Sequence, residues 1–490
     1  MQVDRTNFEL VFPKFLEQLR DCLFVAIDAE YSGLGPPPGC ESDVHSLFDS
    51  ASRRYLKAKA CSSYVICQFG IALFRRLRAN SNSYEADCYN FYLFPASHED
   101  FARDEPFLWE LSSVLFLKEF NFDFDRVFQK GIPFMNQRKA EEFKVYLKNR
   151  CAEGLDEQPD EVVMDEKNGA QLLEYYTGFS RVIQALKRAR KPMVGHNMYT
   201  DLVLTFHRFV NDLPETYEEF KVQAHDAFPI VYDTKAIAQG MKTLMSKRNT
   251  EEDLSYLSNT SLCALYKNTS DPPGRNKPIV CLSCDSQCYS EGLREGKNKD
   301  MEDLVSTKCH EAGFDACITG AVFTQLVYIL WQHELTVKGL PQTCICDDVF
   351  NCVLPWANRV NLSRARVPQI NLGGKDPASH RPSWICVTGF VKSTVSSKGL
   401  HLKSIIRQAS KLGSCEGIYI SPEKSKALIT CSTERASFQI QKFLKQSGYK
   451  IHEVPVPNDD TGVVDVPWGK FVVCAAACWT CILLTLWTKT

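Results

Sequence analysis

The apolar positions of the chain change period several times, and those changes lay out its elements. The strand at 24–28 opens as an unbroken apolar run, Phe24 to Ile27, meets two acidic positions, Asp28 and Glu30, and then a Gly/Pro loop, GLGPPPGC. A second strand, SYVICQFGIALF, spans 63–74, and a third, YNFYLFP, spans 89–95. Helical spacing then takes over around 137–149 and 170–190, where apolar residues recur every three or four positions. A short apolar strand precedes a helix in PIVYDTKAIAQGM, 229–241, and a longer helix covers about 315–334. Three leading strands followed by helices alternating with strands predict an α/β layer domain.

From Trp384 the pattern restarts as strand, helix, strand, strand, helix, strand and ends at YKIHEV, 449–454. This βαββαβ order over 384–455 predicts an RRM-like α+β domain. Its third strand has no aromatic where an RNA-binding sheet would stack a base, and the first has only Phe390 beyond Trp384, so it reads as a packing or protein-contact module. Two stretches, the acidic 153–168 and the Pro/Gly/Lys-rich 268–300, interrupt the first domain as surface insertions.

The C-terminal pattern is of another kind. After a polar linker, 456–470, residues 471–487 (FVVCAAACWTCILLTLW) carry no charge and no polar face. As a helix they reach about 25 Å, slightly short of a bilayer core of about 27–30 Å. A buried last helix is the competing reading. The all-round apolarity, with Trp468 and Trp487 near the ends, favours a transmembrane tail anchor. Cys474, Cys478 and Cys481 in that run are candidates for acylation.

Composition changes this picture little. Of 490 residues, 44% are hydrophobic and 24% charged, as in ordinary globular chains, and the length suits two or three domains. The net charge of -2 excludes a global basic field, so a nucleic-acid partner would need a local cleft. The 21 cysteines are scattered, and Met1 to Leu10 has neither the basic nor the apolar region of a secretory signal, so reduced thiols in the cytosol are expected. Cys281, Cys284 and Cys288 lack a fourth zinc ligand, and a cysteine-rich surface loop is the simpler reading.

The chemistry lies in five residues. Asp28 and Glu30 are two apart on a strand and therefore face the same way, where their charges repel unless a cation sits between them. Asp201 opens a helix after the turn GHNMYT. His310 and Asp315 lie in CHEAGFDACITG; five residues on one helix would point them about 140° apart. His310 must therefore sit on the loop entering the helix, with Gly313 easing the turn. Taken singly, Asp201 reads as a helix-start carboxylate and His310 as a surface or capping histidine. Together the segments spell D-x-E, D, H-x-x-x-x-D.

That pattern, with AIDAEYSGL, SSVLFL, FDFDRVFQKGIPFM, GHNMYTDL, FPIVYDTKAIA and HEAGFDACITG, resembles the poly(A)-specific ribonucleases, deadenylases of the DEDDh exonuclease type, over roughly residues 1–450. The resemblance implies an RNase H-like 3′-to-5′ exonuclease domain over 1–370. It implies two Mg²⁺ ions held by Asp28, Glu30, Asp201 and Asp315, and His310 as the base that takes a proton from the attacking water. It further implies that Tyr31 and Leu34 pack on the terminal nucleotides of single-stranded RNA while Asn197 and Lys235 touch its backbone. For Tyr31 the alternative is burial at the strand end; for the basic run LKRARKP, 186–192, the choice is between phosphate contacts and a solvated helix end.

Two features depart from the soluble family members. The region 136–185 is too short for their inserted nucleic-acid-binding domain, no Arg-x-x-x-His occurs anywhere in the chain, and the apolar tail is additional. Both resemble the family's membrane-anchored branch. That likeness implies trimming of PIWI-bound piRNA precursors at the cytosolic face of the endoplasmic reticulum or mitochondrial outer membrane, with a Tudor–KH scaffold protein as recruiter. A tail-anchored mRNA deadenylase and a catalytically silent membrane-tethered adaptor are the alternatives. The five intact residues argue against the adaptor.

Overall fold

The computed structural model describes residues 1–35, 49–77, 82–95, 98, 101, 106–153, 166–247, 255–270, 277–289, 309–340, 349–379, 381–388, 415–420, 427–431, 433–456, 463–466 and 469–472. The chain divides into two compact units. The first comprises Met1–Leu34, Cys61–Asn361 and Asn371–Gly373, and the second comprises Gly35–Ala60, Leu362–Ile370 and Gly374–Thr490. The expected boundary at 370 is therefore too simple: the stretch after the GLGP turn leaves the first unit and returns to it at Cys61.

The first unit is built on a seven-stranded mixed sheet. Its strands are β1 (Gln2–Val3), β2 (Phe24–Tyr31), β3 (Ile66–Arg76), β4 (Ser83–Tyr92), β5 (Met193–Gly195), β6 (Val231–Asp233) and β7 (Ile279–Leu282). They are ordered β1-β4-β3-β2-β5-β6, with β7 alongside β4. β2, β3 and β4 form an antiparallel meander, whereas β5 runs parallel to β2 and β6 parallel to β5. A mixed sheet with helices packed on it fits the expected α/β layer domain; the strand directions are the structure's addition. β4 starts six residues before the expected strand, because the polar run Ser83–Asp87 pairs with the end of β3 (Arg76 opposite Tyr84). The expected 170–190 helix is two helices, Glu166–Thr177 and Ser180–Ala189. They break at Gly178, which has φ +32° and where a Cβ would lie 2.2 Å from the Pro133 carbonyl oxygen.

Central β2 is buried on both faces. Its even-numbered residues Phe24 and Ala26 share a core with the long helix Ala312–Val337, and Phe24 meets Phe323 edge-on at 5.0 Å. Strand alternation puts Asp28 and Glu30 on that same face. Across the sheet, Phe15 of helix Phe8–Asp21 packs on Tyr89 and Phe91, and Phe179 packs on Phe69.

The long helix starts three residues before the expected 315 and is buried inside the protein. Among the described residues it is the one helix long and apolar enough to cross a bilayer, but burial makes it a core helix. The expected anchor, 471–487, falls outside the described residues except for Phe471 and Val472. Those two lie in a strand, Gly469–Val472, that pairs with Val463–Val466, so the expected linker contains a hairpin strand.

The second unit carries a four-stranded antiparallel sheet ordered Cys415–Ile420, Ala427–Cys431, Trp384–Thr388, Lys450–Val454. Helix Glu434–Gln446, capped by the Thr433 side chain, lays Ala436, Ile440 and Leu444 on Ile385, Val387, Ala427 and Ile429. The expected first helix of this unit, and Phe390, lie outside the described residues. Trp384, Cys386, Leu428 and Thr430, on the opposite face, are also buried, with the Arg366 guanidinium over Trp384. No stacking surface is left on those two central strands. Within the same unit, buried Asp49 gathers Arg53, Arg54 and Lys57 at 3.4, 3.6 and 2.8 Å.

One contact fixes the long helix on the sheet. At Gly70 of β3, opposite Asp28, a Cβ would lie 1.8 Å from the Ala312 carbonyl oxygen. Gly70→Ala is therefore expected to cost about 3 kcal/mol or more, since the clash is with backbone. Gly169→Ala, where a Cβ meets nothing within 4 Å in a helix, should be neutral or slightly stabilising. Urea midpoints of the two variants check this.

Candidate active site

The helix that presses on Gly70 begins without a cap of its own, since the Glu311 side chain makes no capping bond. Free N–H groups at a helix start need acceptors when they are buried. The sheet supplies them: the Gln68 side-chain oxygen accepts from Ala312 N at 2.8 Å and that of Asn90 from Gly313 N at 3.0 Å. Gln2 links the Asn90 amide to the Glu311 carboxylate. Gln68 and Asn90 are both buried, and sequence reading missed them. Each is a lone amide in the apolar stretch of its strand, a pattern that flags a buried polar group without naming the helix it caps.

This docking carries Asp315, in the helix's first turn, to the face where β2 presents Asp28 and Glu30. His310 sits outside the helix, as expected, in the left-handed region at φ 69°. Its backbone N donates to Asp315 Oδ2 at 3.0 Å. Its ring lies against Phe116 and Phe120, with centroids 4.6 and 4.2 Å away. Ligand atoms of Glu30, His310 and Asp315 lie within 4.8 Å of one another, the one such group among the described residues. Asp28 and Asp201 join it electrostatically.

Burial and the charges of Asp315 and Asp201 push both Asp28 and Glu30 well above the usual carboxylate range, with Glu30 adding to the effect on Asp28. Burial lifts Asp201 to about 6 against an opposing bond from Tyr31, and lifts Asp315 to about 8 against the His310 backbone bond. Burial alone holds His310 below the ordinary imidazole value. Asp315 Oδ1 is buried with no hydrogen-bond partner. A buried, unpartnered carboxylate oxygen among three like-charged groups suits a hard divalent cation, whose ligands are oxygens.

The remaining predicted residues fare differently. Tyr31 is only 8% exposed and its hydroxyl donates to Asp201, so it positions a carboxylate and has little ring left for a base. Leu34 is 45% exposed beside the site-bearing strand, with its N bonded to Glu110. Asn197, at φ 56°, accepts from the Asn361 side chain. The Lys235 backbone N goes to Asp233 at 2.9 Å. In the 186–192 run, Lys191 Nζ caps the Arg20 and Cys22 carbonyls at 2.9 and 2.7 Å, which is a structural use of its charge. Cys281 lies on β7 and Cys284 is exposed; the Cys288 side chain is outside the described residues.

Asp233 was overlooked beside Lys235. Fully buried at the end of β6, it accepts from the backbone N–H of Asn197, Met198, Lys235, Ala236 and Asn361. That holds the turn that delivers Asp201.

A family model described as CAF1 family ribonuclease matches residues 3–323, which include all five residues and the docked half of the long helix. The chain belongs to the CAF1 ribonuclease family. It is an exoribonuclease of that family, as its sequence pattern led one to expect. It is 27% identical over 465 residues to poly(A)-specific ribonuclease PNLDC1 of Mus musculus, covering 79% of this chain and 82% of the relative. It is 25% identical over 552 residues to poly(A)-specific ribonuclease PARN of Homo sapiens, covering 92% of this chain and 81% of the relative. Among solved structures, the Mg²⁺- and Mn²⁺-bound form of S. pombe Pop2p aligns with a TM-score of 0.36 at 17% identity, covering 66% of this chain and 90% of that one.

The raised carboxyls of this CAF1 family member make stability depend on pH in a set direction. Asp315 binds its proton more tightly folded (about 8) than unfolded (about 4), so its neutral form favours the fold below pH 4 and that contribution is lost as pH climbs towards 8. Metal-free protein should melt lower at pH 8 than at pH 5.5. Mg²⁺ should restore more at pH 8, and Asp315→Asn should shrink both differences; melting curves at the two pH values test it.

Proposed function

We propose that the protein is a Mg²⁺-dependent 3′-to-5′ exoribonuclease in which Asp28, Glu30, Asp201 and Asp315 hold two ions and His310 is the general base. The carrying observation is the cluster of carboxyls from three separate chain segments, Asp315 buried and Asp28, Glu30 and Asp201 half-buried, each pushed up by desolvation, with no lysine or arginine among the groups that shift them. Such groups are tolerated only when protonated or when a cation joins them. Two Mg²⁺ ions, when bound, supply positive charge at a scissile phosphate and make water a nucleophile near neutral pH.

The chain's own residues do the rest. His310, its pKa lowered by burial, is neutral at physiological pH and free to accept the proton of the attacking water. Phe116 and Phe120 fix the plane of its ring, and the Asp315 bond fixes its backbone. Tyr31 orients Asp201. Leu34 offers an exposed apolar contact for a terminal base, with Asn197 and Lys235 as backbone contacts of single-stranded RNA. The products are 5′-nucleotides.

The finer reading is a trimmer of PIWI-bound piRNA precursors, tethered to an organelle membrane by 471–487 and met there by a Tudor–KH scaffold. The uncharged apolar run, the short 136–185 region and the missing Arg-x-x-x-His support it. A tail-anchored deadenylase is the second reading, favoured by the poly(A)-specific ribonuclease names of the relatives. Residues 384–455 are read as an RRM-like module that serves packing or protein contact, given the buried Trp384.

Protein lacking 456–490 should shorten a 3′-extended RNA with Mg²⁺ and not with EDTA, and Asp28→Ala/Glu30→Ala should lose at least a thousandfold in rate. Faster shortening of PIWI-bound RNA than of free oligo(A) supports the trimmer, and the reverse order the deadenylase. Equal activity in the double variant would refute the site.

A further inference from the structure

Immediately before His310 lies Cys309, and its Sγ is 2.7 Å from Cys263 Sγ. Both thiols are free. A disulfide bond is about 2.05 Å long, so closure needs only a small approach. The two sulfurs sit on different elements of one core. Cys263 belongs to helix Leu262–Thr269, whose Leu265 and Tyr266 are buried in the core with the long helix and whose Thr269 hydroxyl donates to Gln325 at 2.6 Å. Cys309 belongs to the entry turn that holds His310 at its positive φ. Cys309 lies in the same core, one residue from His310, so drawing the sulfurs together pulls on the turn that carries His310.

We infer that Cys263 and Cys309 are a reversible dithiol–disulfide site, oxidised by hydrogen peroxide, whose closure draws His310 away from Asp315 and Glu30 and switches the nuclease off. Its regulatory half rests on the proposed role of His310; the thiol chemistry does not. Cys263 is partly exposed and is the end that a solute oxidant reaches, whereas Cys309 is 6% exposed. A bond from the Cys309 thiol brings Cys263 down to about 7, which makes it the nucleophile of the pair.

The Cys263 thiolate attacks one peroxide oxygen, the O–O bond breaks, hydroxide leaves and a sulfenic acid forms. The Cys309 sulfur then attacks the Cys263 sulfur, the S–O bond breaks, and water departs with the Cys309 proton. Two thiols have lost two electrons to one peroxide, giving one disulfide and two waters. A dithiol reductant reverses it by exchange. A second pair of neighbouring thiols, Cys88 and Cys317, is 1% and 0% exposed and closed to such an oxidant.

The test treats the full chain with hydrogen peroxide and maps peptides under non-reducing conditions, with RNA shortening measured beside it. A Cys263–Cys309-linked peptide is expected, together with a tenfold or greater loss of rate that dithiothreitol restores, while Cys263→Ser keeps its rate under peroxide. The proposal is overturned if no linked peptide forms at doses that oxidise exposed Cys281. It is equally overturned if the link forms with the rate unchanged, or if Cys263→Ser is inhibited as strongly as the unsubstituted chain. The peptide is read without reference to activity, so an untreated protein that shortens no RNA would count against the nuclease reading alone.

Discussion

The close approach of helix Ala312–Val337 to Gly70 is the constraint on which the site depends. Only a residue without a side chain lets the helix backbone touch β3, and only there do Gln68 and Asn90 reach the N–H groups of Ala312 and Gly313. The bonds are satisfied because the approach is close, and the approach is held because the bonds are buried. Asp315, one turn in, then has no position except over Asp28 and Glu30. The fold thus assembles negative charge by packing, and leaves it to be neutralised by something from outside the chain.

The same economy governs the other carboxylate. Asp201 comes from helix Tyr199–Thr205, which follows β5, the neighbour of β2, and its turn is tied down by Asp233, which accepts from five backbone N–H groups. Tyr31, at the irregular end of β2, reaches across to it. Two buried aspartates therefore have opposite fates: Asp233 is satisfied by backbone and structural, whereas Asp315 keeps an unpartnered oxygen and is available.

Much of this was legible in the chain. Continuous apolar runs located β2 and β3, and the two-residue spacing of Asp28 and Glu30 fixed their common face. The five-residue spacing of His310 and Asp315 required His310 to lie off the helix, where it does lie at φ 69°. What stayed hidden depends on tertiary partners. Nothing local marks Gln68 and Asn90 as caps for a helix more than two hundred residues away, or Phe116 and Phe120 as the walls of the His310 ring. Burial at Tyr31 depends on the bond to Asp201, so its strand-end position left open whether it stacks or supports. The excursion of Gly35–Ala60 into the second unit also leaves no periodic trace.

The central claim is that this packing creates a site whose charge balance is completed by divalent cations. Calorimetric titration of Mn²⁺ into metal-free protein, with a non-hydrolysable RNA 3′ end present, tests it most directly. About two equivalents should bind the unsubstituted chain, and Glu30→Gln should lose at least one of them while its melting temperature in metal-free buffer at pH 8 holds or rises. Unchanged binding in Glu30→Gln, or no binding to either form, would contradict the account.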